Sequence, residues 1–190
     1  MSKIVLASAS PRRLDMLLRL GREVVVRPAD IDESVRPGED PREYVTRLAE
    51  EKCAVVAVHH TEHAVIAADT TVDVDGEILG KPADDHEATQ MLRSLSGREH
   101  LVHTGVTVRR GDRVATGVAT TVVRFVEMSA ADVAWYVGTG EPFDKAGAYG
   151  IQGAGGVFVE SVTGSVSNVA GLPLTLTLEL ARSIGVELLG

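Results

Sequence analysis

The chain has 190 residues, of which 44% are hydrophobic and 24% charged, the balance of one ordinary globular domain or two closely packed lobes and not of a disordered or fibrous chain. A formal net charge of −8 argues against broad affinity for nucleic acid, which needs clustered Lys and Arg, and 4% aromatic residues argue against a base-stacking surface. The single cysteine, Cys53, excludes an internal disulfide framework and a thiolate zinc cluster, and is expected in the core.

In chain order, Lys3 to Ala7 reads as a short buried strand running into Ser8-Ala9-Ser10-Pro11-Arg12-Arg13. Leu14, Leu17, Leu18 and Leu20 then give helical spacing, with Ser10 as N-cap, Pro11 at the first helical position and Gly21 as the stop. Arg12, Arg13 and Asp15 interrupt the apolar run too early for a signal peptide or a membrane span, so a cytoplasmic protein without membrane contact is expected. Glu23 to Arg27 reads as a second strand, followed by an acidic, proline-containing loop from Asp30 to Pro41 and a long helix from Asp40-Pro41 to about His59. Ala64 to Ala68 forms the next apolar strand, expected to end at Asp69-Thr70-Thr71.

Asp75-Gly76 marks a hairpin, and Gly80-Lys81-Pro82 leads to a helix from about Asp84 to Leu95, closed by Gly97. Strands near His100 to Arg109 and Val114 to Val126 flank Gly111-Asp112 and should pair antiparallel, so the fold class is α/β with a mixed sheet. Ser129 with Asp132 resembles a capping box. Gly138 to Gly156 is glycine-rich, Val157 to Val162 is a last strand, and Leu172 to Ile184 a last helix.

Four features point to phosphate chemistry. The Ser8 to Arg13 segment puts hydroxyls, a helix N-terminus and two guanidiniums within one turn of a strand, a place that attracts phosphate, although the same residues would also serve as a simple cap with solvated arginines. Glu33 in its loop and Asp69 at a strand end could hold Mg²⁺ beside substrate phosphates. Lys52 and Lys81 could neutralise phosphate as point charges, while solvation is the ordinary fate of a lysine. Asp144 to Gly156 has the glycines for close backbone approach, and Gln152 offers an amide to a base edge, helped by Thr70. Gly76 to Pro82 is not a P-loop, since Pro82 stands where a metal-binding hydroxyl is needed. His59, His60 and His63 stand where a helix ends and favour its dipole more than they suggest zinc.

Together, Ser8 to Arg13, Ile31-Asp32-Glu33, Leu48 to Lys52, Ala68-Asp69-Thr70, Gly80-Lys81-Pro82, Asp144 to Gly153 and Gly171-Leu172-Pro173 resemble the Maf family of nucleoside triphosphate pyrophosphatases. The resemblance implies one Maf-like domain over residues 1–190, with an inosine-triphosphatase-like fold: an elongated, twisted mixed sheet with flanking helices and a central cleft, in a homodimer. It implies Asp69 as general base and, with Glu33, ligand of a divalent cation (Mg or Mn). Ser8, Arg12, Arg13, Lys52 and Lys81 would bind the triphosphate, and Arg12, Thr70 and Gln152 would set specificity. Lys145 to Gly153 looks like the subgroup acting on dTTP and UTP, with modified pyrimidine nucleotides as further substrates.

The reaction so implied is attack of water on the α-phosphorus with loss of pyrophosphate. A different reading, a non-catalytic nucleotide-sensing regulator of cell division, would need no attacking water, and a candidate base beside metal-binding acids favours the enzyme.

Overall fold

The structure is a computed structural model and describes residues 3–190. Seven strands form one sheet in the order β2-β1-β3-β5-β6-β7, with β4 paired to β3; these are β1 (Ile4–Leu6), β2 (Val24–Val26), β3 (Ala64–Val74), β4 (Glu77–Leu79), β5 (Glu99–Arg110), β6 (Arg113–Phe125) and β7 (Val159–Thr163). The helices are α1 (Pro11–Leu18), α2 (Pro41–Ala57), α3 (Asp85–Leu95), α4 (Ala130–Val137), α5 (Val166–Val169) and α6 (Leu174–Ser183). The sheet is mixed as expected: β1 runs parallel to β2 and β3, while β4 is antiparallel to β3 and β7 to β6. No helix among the described residues is long and apolar enough to cross a membrane.

The chain divides into two compact units. The first holds the described residues up to Asp69, Thr104–Ala119 and Gly171–Gly190; the second holds Thr70–His103 and Thr120–Ala170.

In the first unit β1 is buried from end to end, as a short parallel strand covered on both faces must be. Cys53, Val56 and Ala57 of α2 pack on Val5 and Ala7 and on Val65 and Ala67 of β3, which places Cys53 in the core. Gly105 of β5 lets α2 come closer than any side chain would permit: a Cβ built there would lie 2.2 Å from the Val45 carbonyl oxygen. Asp40 caps α2 through its side chain, and Pro41 at the first helical position loses no hydrogen bond.

In the second unit α3 contributes Ala88, Met91, Leu92 and Leu95, and α4 contributes Val133, Tyr136 and Val137, to one apolar cluster with Val72, Val102, Val123, Phe125 and Phe158. The Ser129–Asp132 capping box that starts α4 is present. The glycine-rich stretch is more ordered than a flexible loop, being built of short 3-10 turns at Glu141–Asp144, Ala146–Ala148 and Ala154–Phe158, and β7 starts at Val159, not Val157.

His100 lies inside this second cluster, 3% exposed, with Nε2 2.8 Å from the Tyr149 hydroxyl and the Phe125 ring edge-on to its imidazole. Burial first, and Arg98 second, push its pKa down to about 4. A base whose folded pKa is depressed binds fewer protons folded than unfolded, so stability is complete above the unfolded value of 6.5 and is lost as the pH falls toward 4. The charge on His100 should cost on the order of 2–3 kcal/mol at pH 4.5. Urea unfolding at pH 7 and pH 4.5 is expected to show this loss in the wild type and a clearly smaller one in His100→Phe; equal losses would remove His100 as the source.

Candidate active site

The first unit brings together most of the residues singled out in the sequence. Ser10 caps α1, accepting from the Arg13 N–H at 3.5 Å, so the loop after β1 turns straight into a helix start. Ser8 is buried, and its Oγ accepts from the Ser10 N–H at 3.2 Å and from Arg13 Nη1 at 3.1 Å. Arg13 Nε donates to the Gly171 carbonyl at 2.7 Å, so two motifs at opposite ends of the chain hold one guanidinium in place. Burial lowers the Arg13 pKa, and the charges of Asp69 and Glu33 oppose that effect, which places both carboxylates within electrostatic reach of it. Arg12, half-buried beside it on the first turn of α1, acts on Arg13 as a like charge.

Lys52 is the centre of the arrangement. It projects from α2, only 7% exposed, and its Nζ lies 2.6 Å from Asp69 Oδ1 and 2.8 Å from Glu33 Oε1. Burying an ammonium is tolerable only when it is paired and hydrogen-bonded, and two carboxylates satisfy that requirement. The solvated surface lysine that Lys52 could equally have been is therefore excluded.

Asp69 is 8% exposed, while the Glu33 side chain is 48% exposed and open to solvent on one side. Asp69 does not end its strand: β3 continues through it to Val74, because the polar residues Asp69, Thr71 and Asp73 on its following half find partners in Lys52, the Leu79 carbonyl and His103. A strand whose polar side chains are all satisfied has no reason to stop.

Two hard carboxylates beside a solvent-open face suit Mg²⁺ or Mn²⁺, which bind one or two carboxylates and complete their shell with water and substrate phosphates. Among the described residues no group of three or more His, Cys, Asp or Glu is arranged to hold a metal by protein ligands alone. Glu33 and Asp69 are the carboxylates of the first unit with the chemistry to take part in holding such an ion.

Thr70, Lys81 and Gln152 belong to the second unit. Thr70 follows Asp69 on β3 and is half-buried; Lys81 is exposed just after β4, where the neighbouring Gly80 carbonyl accepts from the Gly147 N–H at 3.0 Å. Gln152 is exposed at the tip of a turn organised by Glu141, whose carboxylate accepts from the Tyr136 hydroxyl at 2.8 Å, the Ala154 N–H at 2.8 Å and the Gly155 N–H at 3.1 Å. A Cβ on Gly153 would lie 2.3 Å from a Glu141 oxygen, so a side chain there would displace that carboxylate.

The sequence reading missed two groups. Asp73, His103 and Thr120 form a chain in the second unit, with His103 Nε2 3.0 Å from Asp73 and Nδ1 2.9 Å from Thr120; alternation of Asp69 and Asp73 on one strand face was the available signal. Tyr44 and Arg47 of α2 reach the Glu33 loop, which no local pattern announces.

The first unit thus sets a lysine between two carboxylates in the same unit as the start of α1, on a mixed α/β sheet. The model of the Maf-like protein family matches residues 3–184, and the chain belongs to that family. It is 53% identical over 98% of its length to a dTTP/UTP pyrophosphatase of Anaeromyxobacter dehalogenans (strain 2CP-C), covering 96% of that protein. It is 50% identical over 100% of its length to a dTTP/UTP pyrophosphatase of Methylobacillus flagellatus, covering 96% of that protein. The enzyme of the same name from Chromobacterium violaceum is 49% identical over 98% of this chain and 97% of its own. Among solved structures the chain is similar to the Staphylococcus aureus Ham1 protein, with TM-score 0.48, 18% identity, and coverage of 65% of this chain and 72% of that one.

Proposed function

We propose that this chain hydrolyses dTTP and UTP, and modified pyrimidine relatives of them, to the nucleoside monophosphate and pyrophosphate. The observation that carries the reading is Lys52 held between Glu33 and Asp69, in the same unit as the Ser8–Arg13 helix start. The near-full-length likeness to dTTP/UTP pyrophosphatases gives the substrate class.

In this reading Ser8, Arg12 and Arg13 take the phosphate oxygens, with α1's N-terminus favouring their charge. Lys52 occupies Asp69 Oδ1, and we assign Oδ2 to the attacking water, whose proton Asp69 accepts as the oxygen bonds to the α-phosphorus and pyrophosphate leaves. Glu33 and Asp69 would hold the divalent metal, which when bound withdraws charge from the phosphates. Lys81 is assigned to the triphosphate, and Arg12, Thr70 and Gln152 to the choice of base, on the likeness of their motifs. The chain is taken to act in the cytoplasm as a homodimer, independent of nucleic acid and membrane; light scattering of the purified protein reads the oligomeric state.

The test is a nucleotide panel with Mg²⁺ or Mn²⁺ and product identification. Turnover of dTTP and UTP well above that of purine triphosphates, with TMP or UMP and pyrophosphate as products, is the expected result. Nucleoside diphosphate and orthophosphate as products, or no turnover at all, would overturn the proposal.

A further inference from the structure

We infer that Tyr44 and Arg47 are positioning residues that hold Glu33 in its working place, an inference that rests on the part given to Glu33 above. Glu33 stands in an irregular loop with no strand or helix to fix it, and its side chain is 48% exposed. An exposed glutamate on a loose loop would spend little time beside Lys52, because ordering a long side chain and its backbone costs conformational entropy. The distance of 2.8 Å between Glu33 and Lys52 therefore needs a cause outside the pair itself.

That cause lies in two successive backbone carbonyls, those of Glu33 and Ser34. The Tyr44 hydroxyl donates to the Glu33 carbonyl at 3.0 Å, and Arg47 Nη2 donates to the next carbonyl, that of Ser34, at 3.1 Å. Both donors come from α2, the helix that carries Lys52, so loop and lysine share one rigid reference. Arg47 is itself held: its Nε and Nη2 make a forked pair with Glu39 at 2.5 and 2.8 Å, and its guanidinium carbon lies 5.6 Å from the centre of the Tyr44 ring. Glu39 also accepts from the Arg36 N–H at 2.9 Å, which fastens the far end of the loop.

The charge states agree with a permanent clamp. The hydrogen bond from Arg47 brings the Glu39 pKa down to about 2, so the fork is intact throughout the working pH range.

A role exercised through Glu33 makes a distinctive kinetic prediction. Tyr44→Phe, which removes one oxygen, should lower kcat for dTTP by about five- to tenfold, the worth of one hydrogen bond. KM should change less than twofold, because Ser8, Arg12 and Arg13 stand on other elements. Arg47→Lys keeps the charge but loses the fork, and should do the same. In Glu33→Gln, already slow, adding Tyr44→Phe should change kcat less than twofold, since a misplaced side chain that no longer functions has nothing left to lose.

Hydrogen exchange of the peptide covering residues 31–40 gives a readout apart from activity: faster early exchange in both variants, with the rest of α2 unchanged. The inference is overturned if Tyr44→Phe has its full effect in the Glu33→Gln background, or if kcat and loop exchange stay at wild-type values. Full turnover in Glu33→Gln alone would instead overturn the part given to Glu33, and so separates the two failures.

Discussion

Asp69→Asn is expected to lower kcat for dTTP by about 10²- to 10⁴-fold, the usual worth of a positioned general base. The substitution preserves the shape of the side chain and an oxygen for Lys52, so the 2.6 Å contact can persist. It removes the negative charge and the ability to accept a proton from water. The fold should survive, because Lys52 keeps Glu33 as a charged partner and Asp69 lies inside the eleven-residue strand β3. A melting temperature near that of the wild type together with the kinetic loss is the expected pair of results. Turnover within a few-fold of wild type would remove Asp69 from the role of base.

How much of this was legible in the sequence depended on whether the determinant was local. The Ser10 cap, Pro11, the Asp75-Gly76 hairpin and the Ser129–Asp132 box all act within a few residues, and each is found where the pattern puts it. Asp69 as a strand terminus was wrong for the opposite reason. Asp69-Thr70-Thr71 read as a polar stop, yet the strand runs on because the partners of Asp69, Thr71 and Asp73 come from α2, from β4 and from β5, whose positions are fixed only by the register of the sheet. The same holds for Lys52, which a sequence cannot distinguish from a solvated lysine until two carboxylates from separate elements meet it. The residues assigned to the site were picked out because each sits in a short motif; Tyr44 and Arg47 were not, because they look like any helical surface.

Gly105→Ala should be the most destabilising single methyl group in the first unit, costing about 3 kcal/mol, the upper end of the usual range for overpacking. The φ of Gly105 is not in the left-handed region, so the cause is space alone. The added Cβ would meet backbone in the second turn of α2: the Val45 oxygen at 2.2 Å, the Val45 carbonyl carbon at 2.6 Å and the Thr46 nitrogen at 2.9 Å. Backbone inside a helix cannot swing aside as a flexible side chain can, so relief requires α2 to lift from β5 as a body. For a chain of this size the cost corresponds to a fall of about 6–12 °C in melting temperature. Lys52 lies two turns further along α2 on the face that carries Val45, so lifting the helix also draws its ammonium away from Asp69. Gly105→Ala should therefore lose turnover even at temperatures where it remains folded, with kcat falling more than KM rises. Unchanged melting would show that the strand yields instead of the helix, and the tight contact with α2 would lose its claim to set the distance between Lys52 and Asp69.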